Sequence, residues 1–379
     1  MKIEQKKWTE AKGWVVEYPE ALGASAQLVL VFGARAILGE QNLVAQIKTT
    51  YPNAHILGCS TAGEICGTQV SDHTLVLTAV SFEHTWLKGT QVEMQRMEDS
   101  FQAGKCLAQS FDPEGLVHVL VLSDGLVVNG SDLVRGLTSQ LPDRVTVTGG
   151  LAGDGTQFQE TLVFWDGVPK KNTIAALGLY GSRLRIGYGS LGGWDPFGPE
   201  RLITRSRGNI LYELDGRSAL ELYKKYLGEH ASGLPATGLL FPLSLRGEAG
   251  ETGVVRTILS VNEQEQSMTF AGDVPEGAYA RMMKANFGRL IDGAVGAAQT
   301  TCEASGSHSP ALAILISCVG RKLVLKQRIE EEVEGVRDVL GEHTILSGFY
   351  SYGEISPFMP GAKCELHNQT MTITTFAEV

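Results

Sequence analysis

Three short apolar runs divide the chain into similar units. They lie at 28–33, 117–122 and 313–318, and each is rich in β-branched residues, as is typical of a strand covered on both faces. Each run is followed by apolar residues at helical spacing, by a second run, and by a final strand-like run at 74–77, 161–164 and 370–373. The pattern predicts strand, helix, strand, turn and strand, three times over, with the first two strands parallel.

A glycine-rich phrase ends the second strand of each unit. The phrase is HILGCSTAGEI at 55–65 and ILSGFYSYGEI at 345–355, so both copies place two glycines five positions apart before Glu and Ile. The middle unit has a looser copy, VTGGLAGD at 147–154, which keeps the apolar run and a final glycine and acid. On this pattern Glu64, Asp154 and Glu354 are predicted to be equivalent acids.

The predicted fold class is α/β with mixed sheets, built of repeated β-α-β-turn-β units in two associated domains. A helix is predicted at 218–227, ended by Gly228, because glycine accepts the left-handed conformation at a helix end. We place the domain boundary near 210. This gives domains at 26–210 and 211–362, with 363–379 as the final strand of the second.

Composition and charge narrow the function classes. The chain has 379 residues, of which 43% are hydrophobic and 20% charged, as in soluble globular proteins. A formal charge of -10 argues against nucleic-acid or anionic-membrane partners, and no apolar run approaches the roughly 20 residues of a membrane span. The first residues do not resemble a signal peptide, so a cytoplasmic protein is expected. The six cysteines lack a CxxC pair and are predicted to be free thiols, and no metal site is predicted.

The glycine-rich phrases are the predicted ligand site. In open α/β sheets, ligands bind beyond the carboxyl ends of parallel strands, where these phrases fall. Glycine allows a ligand to approach the backbone closely, and the acids offer contacts to cations or N–H groups. Turn shaping and capping by the same residues is the alternative interpretation. The candidates are Gly58, Cys59, Ser60, Gly63, Glu64, Gly149, Gly150, Gly153, Asp154, Tyr352, Gly353 and Glu354.

Two arginines and a cysteine extend this set. Arg256 and Arg321 could hold an anionic group through forked hydrogen bonds, or pair with an acid. Cys318 is the last residue of a predicted strand, near Arg321, which suits either a reactive thiol or a small buried hydrophobe. No catalytic residue is predicted, because the phrase at 58–63 is not GxSxG and leads into a strand. A hydrolase using Ser60, Cys59 or Cys318 is the opposing hypothesis.

Several separated phrases resemble the FIST domain family (F-box and intracellular signal transduction) over nearly the whole chain. They are GCSTAGEI at 58–65, GGLAGDG at 149–155, CVGR at 318–321, GFYSYGEI at 348–355 and HNQT at 367–370. The resemblance implies an intracellular sensory module that binds a small ligand and signals to a partner. It adds Asn368 to the candidate ligand-binding residues.

One branch of the family consists of haem-binding nitric-oxide sensors that regulate histidine kinases. The sharpest hypothesis is therefore a haem-based sensor with His367, His118 or His55 as the axial ligand. Haem would be held non-covalently, since the chain has no c-type attachment motif. The alternative is a sensor of amino acids or other metabolites without haem.

Overall fold

The computed structural model describes residues 1–39, 41–247, 253–306 and 309–379. The first two units contain β1 (Lys2–Thr9), β2 (Gly13–Tyr18), β3 (Leu28–Gly33), α1 (Arg35–Leu38), α2 (Gln41–Thr50), β4 (His55–Ser60), β5 (Glu64–Cys66), β6 (Gln69–Ser71), β7 (Leu75–Ser81), β8 (Trp86–Glu93), α3 (Ser100–Gln109), β9 (Leu116–Ser123), α4 (Gly130–Thr138), β10 (Thr146–Leu151), β11 (Val163–Trp165) and β12 (Thr173–Tyr180).

The rest of the chain contains a third unit with a long insertion. Its elements are β13 (Leu184–Leu191), β14 (Asp195–Arg207), β15 (Ile210–Leu214), β16 (Arg217–Ser218), α5 (Ala219–Leu227), β17 (Leu243–Arg246), β18 (Val254–Arg256), β19 (Ile258–Asn262), β20 (Ser267–Phe270), β21 (Tyr279–Lys284), α6 (Phe287–Ser305), β22 (Leu312–Cys318), α7 (Val319–Leu325), α8 (Ile329–Leu340), β23 (Ile345–Ser351), β24 (Gly353–Pro357), β25 (Cys364–His367) and β26 (Met371–Glu378). Short 3-10 helices lie at Gly23–Ser25, Met97–Asp99, Gly228–Gly233, Ala236–Leu240 and Lys326–Arg328.

The mixed α/β fold and the threefold repetition are confirmed. The units have four-stranded sheets of the same order, namely β4-β3-β7-β1, β10-β9-β12-β8 and β23-β22-β26-β13. In each unit the two strands that are connected by a helix pair in parallel, as predicted. The structure adds a leading strand to each unit, β1, β8 or β13, that pairs antiparallel with the last.

The strand after each turn leaves its own sheet. β5 of unit 1 pairs with β23 of unit 3, β24 of unit 3 pairs with β10 of unit 2, and β11 of unit 2 pairs with β4 of unit 1. These exchanges close the three sheets into a ring.

The prediction that 161–164 forms the last strand of unit 2 is wrong. Residues Val163–Trp165 form the exchanged strand, and the last strand is β12, which pairs with β9 as β7 pairs with β3. The similar sequences TLVL at 74–77 and TLVF at 161–164 suggested equivalence. The turn of unit 2 is longer, however, and shifts the later strand along the chain.

The continuous apolar runs are explained by two buried faces. Alternate residues of a strand point to opposite sides of a sheet. Leu30, Leu120 and Ile314 come from different units and belong to one shared core inside the ring. Their neighbours Val29 and Val119 instead belong to cores that include the helices outside it.

The strands from β14 to β21, within 195–247 and 253–284, form a further sheet, here called the inserted sheet, between β13 and α6. It has a hydrophobic core of its own, which includes Ile203, Tyr223 and Phe270. The predicted helix is α5, where the Ser218 hydroxyl accepts a hydrogen bond from the Glu221 N–H and Gly228 follows with φ +56°. The proposed domain boundary near 210 falls at the start of β15 and stays a prediction.

No helix in the described ranges is long and apolar enough to cross a membrane.

Candidate functional site

Three backbone hydrogen bonds join the turns of the three units in a closed cycle. In each bond, the donor is the N–H of the residue four positions after the first glycine of one unit's phrase. The acceptor is the carbonyl of the residue two positions after the first glycine of another unit's phrase. The bonds run from Ala62 to Tyr350 (2.8 Å), from Tyr352 to Leu151 (3.1 Å) and from Gly153 to Ser60 (2.9 Å). The cycle defines a pseudo-threefold axis and brings the predicted turns together.

Gly58, Gly149 and Gly348 occupy one repeated position in this arrangement. They pair with Val31, Val121 and Leu315 on the neighbouring parallel strand. A Cβ at these glycines would lie 2.6, 1.9 and 1.9 Å from the carbonyl oxygens of those partners. Close packing of two strands therefore requires glycine here.

This register corrects the predicted alignment of the acids. Glu64 and Glu354 both lie six residues after the repeated glycine, but in unit 2 that position is Gly155. Asp154 lies one position earlier, in the longer turn of unit 2. Its role is accordingly different.

Glu64 and Glu354 accept the same set of hydrogen bonds. Glu64 accepts from the Thr61 hydroxyl and from the Thr74 hydroxyl (2.7 Å) and N–H (3.1 Å). Glu354 accepts from the Ser351 hydroxyl (2.6 Å) and from the Thr370 hydroxyl (2.9 Å) and N–H (3.2 Å). Burial raises the pKa of Glu64 to about 7 and that of Glu354 to about 8, although these bonds favour the carboxylates.

Asp154 organises the long turn of unit 2. It accepts hydrogen bonds from the N–H groups of Phe158 (2.8 Å), Gln159 (2.9 Å) and Glu160 (2.9 Å), and from the Tyr352 hydroxyl. Burial would raise the pKa of Asp154, but these bonds outweigh it and hold the pKa below its ordinary value.

A cavity of about 380 Å³ opens beside these turns, and all three units line it. We call it the open cavity. Its volume lies in the range of small-ligand sites. Unit 1 contributes Arg35, Thr61, Gly63, Glu64, Asp72 and His73; unit 2 contributes residues 154–157; unit 3 contributes Val319, Lys322 and Leu323.

Two cationic side chains, Lys322 and Arg35, line different walls of the open cavity. The Lys322 ammonium donates to the Ala62 carbonyl (2.8 Å), pairs with Asp72 and lies 5.6 Å from the centre of the Tyr350 ring. A Cβ on Gly63 would lie 2.4 Å from the Lys322 Nζ, so glycine leaves room for this side chain. Arg35 donates to the Gln157 amide oxygen (2.9 Å). The cavity therefore presents both positive and negative groups.

The open cavity includes three of the predicted ligand-binding residues, Gly63, Glu64 and Asp154. Ser60, Gly153 and Tyr352 belong to the cyclic hydrogen bonds beside it. The remaining candidates lie elsewhere. Cys59 is in the core inside the ring, Gly150 pairs with Glu354 in the contact of β10 with β24, and Gly353, Cys318 and Asn368 are buried in unit 3.

The predicted arginines make structural contacts. Arg321 is fully buried, where it forms an ion pair with Glu332 (2.7 Å) and donates to the Leu290 carbonyl (2.7 Å). Arg256 lies in the inserted sheet and donates to the carbonyls of Asp273 (3.0 Å) and Leu366 (3.0 Å). Neither guanidinium faces the open cavity.

The candidate nucleophiles are enclosed. Burial raises the pKa of the Cys59 thiol well above its ordinary value, and burial together with nearby Glu354 raises that of Cys318. The Ser60 hydroxyl accepts a hydrogen bond from the Leu162 N–H (2.8 Å) and has no solvent exposure. Cys318 also donates its N–H to the Thr370 carbonyl (3.1 Å), as Ala34 does to Thr74, so it holds a repeated structural position.

None of the three candidate haem ligands lines the open cavity. His118 is buried between the hydroxyls of Thr146 (2.7 Å) and Thr148 (3.0 Å), and burial lowers its pKa to about 3. His367 bonds to the Ser356 carbonyl (2.8 Å), and burial lowers its pKa to about 4. His55 bonds to Asp166 (2.6 Å) and stacks on Trp165. These histidines do not fit the role of an axial ligand at this cavity.

Sequence reasoning missed Arg35, Asp72 and Lys322. Arg35 and Lys322 lie two and four residues after the first parallel strands of units 1 and 3, so the rule that ligands bind beyond strand ends would have included them. Asp72 lies in the loop between β6 and β7, which no pattern linked to the site.

The ring and its open cavity define an α/β protein of three repeated units with a ligand-sized site at their meeting point. Residues 27–217 match the FIST N domain, and residues 219–357 match the FIST C domain. The chain belongs to the FIST family.

The chain is also similar to an uncharacterized protein of Methanocaldococcus jannaschii, with 24% identity over 314 residues that cover 76% of this chain. It spans 59% of the length of that relative. Two solved structures overlap almost the full length of the chain at a TM-score of 0.33. They are a chorismatase, 9% identical, and a cyanuric acid hydrolase from A. caulinodans, 10% identical; each overlap covers 98% of the other chain. This likeness carries no argument about activity.

Proposed function

We propose that the protein is a cytoplasmic sensor whose small-molecule ligand binds in the open cavity. The observation that supports this most is that the walls come from all three units. A ligand that contacts several units stabilises the relative position in which they fit it best. Binding can thus be transmitted to a surface that a partner recognises.

The side chains favour a small ligand with charges of both signs, such as an amino acid. Lys322 and Arg35 can hold a carboxylate, while Asp72 and Glu64 can accept hydrogen bonds from an ammonium group. Lys322 pairs with Asp72 across the cavity, so a zwitterion could separate the pair while giving each charge a new partner.

A binding screen with amino acids and small carboxylic acids tests this proposal. Calorimetry should find at least one ligand, and Lys322→Ala should weaken its binding tenfold or more, because about 1.4 kcal/mol of interaction corresponds to that factor. Lys225→Ala, on the exposed side of α5, is the matched control. Equal affinity of the Lys322 variant and the wild type would rule out this cavity.

We also propose that the protein catalyses no reaction. This proposal is supported by the enclosure of Cys59, Ser60 and Cys318, none of which lines the open cavity. Hydrolysis that is abolished by a change at any one of these residues would contradict it.

A haem-based nitric-oxide sensor and a histidine-kinase partner stay hypotheses from the family resemblance. Haem has less support than a zwitterion, because His55, His118 and His367 all have other contacts. Titration with hemin should give no Soret band that depends on these histidines. A phosphorylation assay with a candidate kinase, with and without the ligand, tests the partner.

A further inference from the structure

The pseudo-threefold axis places a second carboxyl group in the same setting as Glu64. Glu354 accepts equivalent hydrogen bonds from Ser351 and Thr370, but it has no solvent exposure and does not line the open cavity. Among the described residues it forms no ion pair within 4 Å. The hydrogen-bonding environment of Glu64 is therefore repeated at Glu354, but there it is closed to solvent.

Polar side chains without partners lie beside this acid. The amide of Asn368 is fully buried, and neither its nitrogen nor its oxygen has a hydrogen-bond partner in the described part of the chain. The side-chain oxygen of the neighbouring Gln369 is likewise buried and unpartnered there. The Asn368 Nδ2 lies 3.4 Å from where a Cβ on Gly353 would stand, directly before Glu354. Buried amides normally have partners, so these three atoms require an explanation.

The inserted sheet covers this group of residues. Gln369 donates from its side chain to the Leu239 carbonyl (3.2 Å) in the short helix Ala236–Leu240, and the Trp194 indole donates to the Gln369 carbonyl (2.9 Å). Arg256 of the same sheet donates to the Leu366 carbonyl (3.0 Å), two residues before Asn368. Entry of a ligand would require the segment Ala236–Leu240 to move.

We propose that the side-chain amides of Asn368 and Gln369 form a second ligand site next to Glu354, closed by Ala236–Leu240, for a neutral carboxamide or lactam group. The Asn368 amide offers a donor and an acceptor side by side, which an amide group matches with one acceptor and one donor. The Gln369 oxygen accepts a further N–H. A charged group would be buried without an opposite charge, whereas a neutral amide leaves no charge unpaired.

Thermal unfolding in the presence of nicotinamide or 2-pyrrolidone tests the site. Nicotinate, the charged carboxylate analogue of nicotinamide, is the control ligand. Both amides should raise the melting temperature of the wild type and of Lys322→Ala, because that variant changes only the open cavity. They should not raise it in Asn368→Leu, and nicotinate should not raise it in Lys322→Ala, in which the open cavity has lost its lysine. No rise in the wild type, or an equal rise in Asn368→Leu, would overturn the proposal.

A measurement without ligand gives a second test. Leucine has the same branching and the same number of side-chain heavy atoms as asparagine and needs no hydrogen bond, so Asn368→Leu should melt above the wild type. A lower melting temperature would mean that the amide is already satisfied, for example by a buried water molecule, and would contradict the site. A crystal structure of the wild type with nicotinamide does not depend on the variant. It should place the carboxamide on Asn368, and density at any other position alone would refute the assignment.

Discussion

Glu64 and Glu354 show how burial and hydrogen bonding compete at a single side chain. Each carboxyl accepts three hydrogen bonds, which favour the charged form, yet desolvation is stronger and keeps each pKa high. Asp154, which receives three backbone N–H groups and a tyrosine hydroxyl, has the opposite shift. The three acids of the glycine-rich phrases thus divide into two kinds.

These shifts predict a pH dependence of stability. The pKa of Glu354 is about 8 in the folded state and near the ordinary 4.5 in the unfolded chain. Between these values the folded state binds more protons, so the free energy of unfolding falls as the pH rises. The fall is about 1.4 kcal/mol per pH unit while the pH lies between the two pKa values. Urea unfolding at pH 5, 6.5 and 8 should show a shallower fall for Glu354→Gln than for the wild type.

Glu10→Gln is the control for this series, because Glu10 is exposed and should leave the slope unchanged. An identical slope in the Glu354 variant and the wild type would show that this carboxyl does not titrate in the range.

The sequence analysis named Arg321 as a candidate, whereas the neighbouring Lys322 lines the open cavity. Arg321 and Lys322 are adjacent in α7, and successive helical residues point about 100° apart. Arg321 consequently enters the core and meets Glu332, while Lys322 faces the open cavity. A helix of only seven residues has too little hydrophobic periodicity to predict which of its side chains point into the core and which face the cavity.

At the scale of elements, the repeated glycines determine how closely the parallel strands pack. The apolar runs and helical spacings were sufficient to predict β3, β9 and β22 and the helices after them. They were not sufficient to predict that β5, β11 and β24 pair with other units. Those pairings are made between distant parts of the chain, such as 64–66 with 347–349, and local periodicity carries no information about them.

Gly348→Ala tests the packing requirement. Its Cβ would lie 1.9 Å from the Leu315 carbonyl, so the strands must separate, at a cost of about 1–3 kcal/mol or more. Denaturant unfolding should show the loss. Gly39→Ala is the matched control, since its Cβ would meet atoms no nearer than 3.5 Å. Equal stability of both variants would contradict the repeated role of this glycine.

At the scale of the molecule, the ring and the inserted sheet have separate cores. The two ends of the inserted sheet are neighbours, because Asp195 pairs with Lys284 across β14 and β21. Fold class and repetition were predictable because each unit repeats the same pattern. The insertion was not recognised, since its short strands resemble a continuation of the second domain.

Replacement of 196–283 by two glycines tests this separation. The shortened chain should still unfold cooperatively by circular dichroism, because the three sheets and their shared core are retained. It should melt below the full chain, since contacts such as that of Leu239 with Gln369 are lost. A shortened chain without cooperative unfolding would show that the ring depends on the inserted sheet.

The exchanged strands also bear on how such a protein could be assembled. Each unit gives one strand to its neighbour and receives one from the other, so a unit alone would have an incomplete sheet and an unpaired strand. Three separate copies of one unit could satisfy all these contacts head to tail, as a cyclic trimer does. The single chain is topologically a covalently linked trimer. Its linkers at 82–85 and 181–183 connect units that are also joined through their sheets, and a break in either should leave the assembly associated.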